Sequence, residues 1–214
     1  MRLLLCSLLL VCLTSAAESA AWQLYKAVGE TRVEYRHNAD KLLQVKAQTE
    51  VSATPASFLH LLEDTAHITK WAANTEKAQL LGQPDANTHL VHTYFSAIWP
   101  VSKRDMVTQS VWQQDAASGV LTMVVTDMGK HFPEVQGYVR MQQVQAKWTL
   151  TPLPNGRMKI EYHGQADPSG KLPHFIVDKV ALKSLLKTFS QLQKTLPDYQ
   201  RPYPGLVDAF LPAK

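Results

Sequence analysis

The segment that most constrains this fold comes late in the chain. Residues 173–196 contain no internal glycine or proline, and Phe175, Leu182, Leu185, Leu186, Phe189, Leu192 and Leu196 recur at about 100° per residue. That period predicts one long helix with a broad apolar face. Lys179, Lys183, Lys187 and Lys194 fall on the side turned away from it. A helix with one apolar face must bury it against another element, and most of the chain before it reads as strand. Ile176, Val177 and Val180 widen the apolar surface in the first half of the helix. Two readings follow. The helix is buried more deeply at its N-terminal end, or it lays one surface on a sheet and another on a ligand.

The preceding chain alternates in strand fashion. Residues 31–36 and 42–51 are joined through the turn signal His37-Asn38-Ala39-Asp40. Thr54-Pro55 opens a helix, with the threonine as cap and the proline at the first position, and Phe58, Leu61 and Leu62 form its apolar face. A second short helix is expected over 64–71, and residues 22–28 read as a short helix or an arm. Strands are then expected over 75–81, 88–98, 105–114, 120–126, 135–150 and 158–165. Turns rich in Gly, Pro, Asn and Asp separate several of them, as in Pro154-Asn155-Gly156. Such short connections favour antiparallel pairing, because parallel neighbours need long crossovers. The expected class is α+β, with about eight strands, two short helices inserted early and one long helix at the end.

The N-terminus bears on location. Arg2 precedes an apolar run over 3–13, followed by the small residues Ser15, Ala16, Ala17, Ala20 and Ala21. That order reads as a secretory signal peptide over 1–21, too short in its apolar part to span a bilayer as a helix. The expected destination is the periplasm or the exterior. Cys6 and Cys12 both lie in this segment, so the chain from Trp22 onward has no thiol and must be held by its core alone. The net charge of +4 is mild. It is compatible with transient contact at an anionic membrane surface and gives no sign of nucleic-acid binding. The domain is expected over 22–196, as a monomer, with a tail over 197–214.

Reactive constellations are sparse. There is no nucleophile elbow, glycine-rich phosphate loop or H-E-x-x-H. His89 and His92 are the one close histidine pair, and a separation of three on a strand sends them to opposite faces. No metal site and no cofactor are expected. His131, beside Phe132-Pro133, is a loop histidine that either lines a cavity mouth or is simply solvated.

Three blocks, in order, resemble one family. Trp99-Pro100-Val101-Ser102-Lys103-Arg104-Asp105 is similar to the "WPxSxRD" block of START domains, the steroidogenic-acute-regulatory-related lipid-transfer family. The run from Phe132 to Arg140, leading on to Trp148 and Pro152, resembles that family's loop-and-strand segment. Asp167-Pro168-Ser169-Gly170-Lys171-Leu172-Pro173 resembles its "DPxGxxP" junction. The resemblance implies a helix-grip fold, a curved antiparallel sheet wrapped round the C-terminal helix. It also implies a tunnel for sterols, phospholipids or other apolar molecules, with no chemistry done there. The gate it implies is the 128–137 loop with the terminal helix. Many relatives place an acidic and a basic residue in the cavity where Tyr94 and Ser110 align here, which suggests a neutral or weakly polar ligand group. Arg104 and Asp105 are expected mainly to brace a turn.

The ligand-lining residues expected from same-parity positions are Tyr94, Ile98, Met106, Thr108, Ser110 and Trp112. His131, Phe132, Ile176, Val177 and Val180 are expected at the gate. Carriage is physically reasonable, since each methylene withdrawn from water is worth about 0.8 kcal/mol. The alternatives are a cyclase- or aromatase-like enzyme using His131 or Tyr94 as acid or base, and a lipid-sensing module whose tail, with Leu206, Val207, Phe210 and Leu211, docks a partner.

Overall fold

The computed structural model describes residues 20–171 and 173–207. Among them, ten strands form one sheet: β1 (Gln23–Val28), β2 (Thr31–His37), β3 (Leu43–Val51), β4 (Thr75–Asp85), β5 (Thr88–Phe95), β6 (Arg104–Gln114), β7 (Leu121–Asp127), β8 (Val139–Arg140), β9 (Gln142–Leu153) and β10 (Arg157–Asp167). Helix α1 (Pro55–Glu63) leaves β3, and α2 (His174–Thr195) follows β10. The spatial order is β1-β2-β3-β10-β9-β7-β6-β5-β4, antiparallel throughout, while short β8 pairs in parallel with the start of β6. The signal-peptide reading of 1–21 lies almost wholly outside the described residues, as does the end of the tail.

The curved antiparallel sheet against a C-terminal helix is the architecture expected. One face collects most of the buried apolar positions of the central strands because register repeats at period two. Across the sheet, Trp112 lies opposite Met123, Met123 opposite Trp148, Trp148 opposite Tyr162, Tyr162 opposite Ala47, and Ala47 opposite Val33. This inner face receives both helices. Phe58 of α1 and Phe189 of α2 both meet Trp148, at ring-centroid distances of 5.1 and 5.9 Å. Gly164 serves the same packing, because a Cβ there would lie 2.2 Å from the Tyr162 hydroxyl.

Helix α1 begins as expected. Thr54 Oγ1 accepts from Ser57 N, and Ser57 Oγ accepts from Thr54 N, both at 3.3 Å. Replacing Thr54 with Ala should lower the unfolding free energy by about 1 kcal/mol in urea titration, the usual worth of such a cap. A change below about 0.3 kcal/mol would show that tertiary packing alone starts the helix.

Several local expectations need correction. Residues 22–28 form neither helix nor arm but the edge strand β1, because pairing with β2 supplies hydrogen bonds that local pattern does not reveal. The segment 64–71 is a 3₁₀ turn, Thr65–Lys70, with His67 outside helical angles. Strand β4 runs on through Gly82-Gln83-Pro84-Asp85, absorbing the supposed turn by slips in register against β5. The single strand expected over 135–150 is divided into β8 and β9, since the backbone leaves β6 before joining β7 and β10.

Candidate functional site

Strand β6 positions most of the expected lining. Met106, Thr108, Ser110 and Trp112 share the inner face, where their cross-strand neighbours on β5 are Thr93, Val91 and His89. Tyr94 does not join them. It lies opposite Asp105, so its side chain belongs to the outer face. The proposed replacement of a cavity charge pair by two facing hydroxyls therefore does not hold, because Tyr94 and Ser110 point to opposite sides of the sheet. Parity on neighbouring strands depends on register, and register is set by the 96–103 connection rather than by either strand. Ile98 lies in that connection, in an isolated bridge to Val101 that encloses the cis Trp99-Pro100 peptide.

Burial along the inner face is uneven. Opposite the C-terminal half of α2, Leu121, Leu150, Met158 and Ile160 are inaccessible, as are Phe189, Leu192 and Leu196 of the helix. At the other end the inner-facing Val91, Met106, Val125 and Ala146 stay partly accessible, and so do Ile176 and Val180 on α2. Val177 is buried and its neighbour Phe175 is 73% exposed. Of the remaining gate residues, Phe132 is half-buried and His131 is exposed in the turn Gly129–His131. The N-terminus of α2 has no side-chain cap, with Pro173 in that place. One side-chain contact from this half of the helix reaches β2, His37 Nε2 to Asp178 Oδ2 at 2.8 Å.

Beneath the 128–140 segment, on the outer face, lies a buried polar cluster that sequence reasoning underestimated. Asp105 is fully buried and receives Arg140 Nε and Nη2 on Oδ2, each at 2.8 Å. The same oxygen accepts from His92 Nε2 at 2.7 Å, and His92 Nδ1 lies 3.0 Å from the Tyr94 hydroxyl. Arg140 also donates to the carbonyls of Gly129, Phe132 and Pro133, at 2.7, 3.2 and 2.8 Å. One guanidinium therefore gathers the whole loop against the sheet. Burial first, and the Asp105 carboxylate second, push the Tyr94 phenol above its ordinary range. Arg104, facing inward, donates to the carbonyls of Ser102, Pro168 and Ser169, tying the start of β6 to the approach to α2. Burial holds its guanidinium below the usual range. The expectation that Arg104 and Asp105 brace a turn understates them. Together they hold the two segments that flank the partly accessible end. The signal available was the charged pair inside an otherwise apolar strand pattern.

His89 and His92 lie on opposite faces, facing Ser110 and Val107 respectively. Among the described residues no group of three His, Cys, Asp or Glu side chains is placed to hold a metal ion. No helix among them is long and apolar enough to cross a membrane.

A curved antiparallel sheet against one long C-terminal helix defines the helix-grip class of fold. The START domain sequence model matches residues 3–201, and the chain belongs to that family. It is 25% identical over 145 residues to an uncharacterised protein of Pseudomonas aeruginosa, covering 68% of this chain and 71% of that one. It is 28% identical over 129 residues to human StAR-related lipid transfer protein 8, covering 60% of this chain but 12% of that much longer protein. Among solved structures, a STAR-related lipid transfer protein fragment from Xanthomonas axonopodis superposes with a TM-score of 0.74 at 22% identity, covering 82% of this chain and 98% of the other. Human STARD10 gives a TM-score of 0.71 at 21% identity, with 83% and 74% covered.

Proposed function

We propose that this protein binds an apolar, lipid-like molecule between the inner face of the sheet and the first half of α2, and moves it between membranes. The observation that carries this reading is the contrast on the inner face between inaccessible Leu121, Leu150, Met158 and Ile160 and partly accessible Val91, Met106, Val125 and Ala146, the latter beside buried Thr93 and Thr108. The names of the relatives, several of them lipid transfer proteins, point the same way. Ligand contacts are assigned to Met106, Thr108, Ser110 and Trp112, with Phe132, Ile176, Val177 and Val180 at the opening. The acid–base candidates of a cyclase do not converge on this space, since His131 is exposed and Tyr94 faces outward.

The accessible end also carries the means of docking. Trp99 is 93% exposed and Phe175 73%, and Arg104 links their two segments. Lys130 and Lys171 stand exposed on the neighbouring turns. Exposed aromatics flanked by lysines suit an anionic bilayer surface, where a ring enters the interface and the ammonium groups meet lipid phosphates. Residues 1–21 are read as an export signal that would place this activity outside the cytoplasm.

Native mass spectrometry of the exported chain, followed by organic extraction, should yield a co-purifying lipid. Transfer of a fluorescent lipid between anionic vesicles should slow by about tenfold when Trp99 and Phe175 are both changed to Ser, because each buried ring contributes enough to matter on a scale of 1.4 kcal/mol per decade. A ligand-free protein that transfers nothing would overturn the carrier. Wild-type rates in the double variant would overturn the docking site.

A further inference from the structure

At the end of the inner face opposite Trp99, the chain covers Trp112 with its own tail. Tyr203 reaches back from the segment after α2, its ring 5.8 Å from that of Trp112 in an edge-on arrangement and 5.0 Å from that of His60. Its hydroxyl donates to Glu63 Oε1 at 2.5 Å. Burial, and then that carboxylate, raise the phenol well above its ordinary range, so it remains a neutral donor.

The slot around this ring has more polar capacity than Tyr203 uses. Trp112 and His60 are both more than nine-tenths buried, and Trp112 Nε1 and His60 Nδ1 have no hydrogen-bond partner. His89 Nε2 is likewise unpaired, and it lies 3.8 Å from Glu63 Oε1, while His60 Nδ1 lies 3.8 Å from Oε2. His60 Nε2 donates to the Pro202 carbonyl at 3.0 Å, and Nδ1 faces the carboxylate. Buried polar atoms are rarely left without a partner, and three of those in this molecule gather round Tyr203 and Glu63. A phenol entering in place of Tyr203 would donate to Glu63 Oε1, as the Tyr203 hydroxyl does, with the two histidines on either side of that carboxylate.

From Pro202 on, the covering segment is lightly hydrogen-bonded, in contrast to Tyr199 and Gln200 before it, which bond Asp64 and Ser52. It joins no strand of the sheet. Besides the bonds of Tyr203 and Pro202, its described hydrogen bonds to the domain are the paired ones between Val207 and the Gln114 side chain, at 2.8 and 3.0 Å.

We propose that His60, Glu63, His89 and Trp112 form a site for the phenol head of an apolar chain, and that Tyr203 is its built-in occupant, closing the site until ligand displaces the tail. The inference rests on the carrier reading, because His89 and Trp112 stand on the same inner face as Ser110 and the apolar part of the ligand would extend toward α2. A site held shut by its own chain binds ligand less tightly in proportion to the open fraction. Opening it by mutation should therefore tighten binding.

The test measures affinity of the full chain for 4-nonylphenol, 4-nonylanisole, nonylbenzene and a fluorescent fatty acid. Tyr203→Ala and Tyr203→Phe should each bind 4-nonylphenol at least about tenfold more tightly than the parent chain. The anisole and hydrocarbon should show no comparable gain, and His89→Ala in the Tyr203→Ala background should abolish it. Should Tyr203→Ala fold poorly, Tyr203→Phe keeps the ring and serves alone. Equal gains for all three aromatic probes, or none for the phenol, would overturn the site. Binding of the fatty acid in either case keeps the carrier reading separate, and loss of every probe from the parent and variant proteins would sink both.

Discussion

Asp105→Ala should lower the unfolding free energy by about 3–5 kcal/mol, because it strands a buried guanidinium rather than deleting a weak surface pair. Asp105 is fully buried, and its Oδ2 is shared by Arg140 and His92. With the carboxylate gone, Arg140 keeps its three loop carbonyls but has no anion to neutralise it. Arg140→Met should cost a similar amount, leaving an unpaired carboxylate against His92. The double variant Asp105→Ala with Arg140→Met should lose clearly less than the sum of the singles, since it removes both charges together. Urea denaturation of the four proteins measures this cycle. Additive losses would show that the pair does not act as a unit, and that the 128–140 loop is held by its other contacts. Limited proteolysis within that loop should rise in both single variants, because Arg140 is what gathers the Gly129, Phe132 and Pro133 carbonyls.

Phe189→Ala should be the most damaging apolar substitution, at about 3–5 kcal/mol. Phe189 is fully buried and lies parallel to Trp148 at 5.9 Å and tilted to Tyr162 at 6.4 Å, with Phe58 closing on Trp148 from α1. Removing the ring leaves a void that α1, α2 and three strands cannot all collapse to fill. Phe189→Leu should cost less, because it keeps most of the volume and loses chiefly the ring contacts. By contrast, Val180→Ala, on the accessible half of the helix, should cost under about 1 kcal/mol, as little buried surface is lost there. If Phe189→Ala and Val180→Ala were equally costly in urea titration, the division of the inner face into a sealed and an open half would be wrong, and the carrier proposal with it.

The helix over His174–Thr195, the capped α1 and the order of most strands were legible because each has a local period or a local cap. Apolar residues three and four apart announce a helix whatever it packs on, and Thr54-Pro55 marks its own turn. The three family-like blocks pointed to the same architecture. What escaped was whatever depends on pairing between distant segments. The edge strand β1 exists because β2 offers it partners. Tyr94 faces outward because its register against β6 places it opposite Asp105, and Ile98, expected on the same strand, lies beyond its end. The Asp105–Arg140–His92 cluster joins residues from three strands, and no spacing in the chain announces it.

Residue order along the chain therefore specified the kinds of element and their sequence, since hydrophobic period, caps and turn residues act over a few residues. Which face each strand turns inward, where burial fails along α2, and which carbonyls one guanidinium collects were settled by long-range register and close packing. Those depend on contacts between segments far apart in the chain, 141 residues for His37 and Asp178 and 148 for Ser52 and Gln200, and a one-residue slip in pairing would reverse every face.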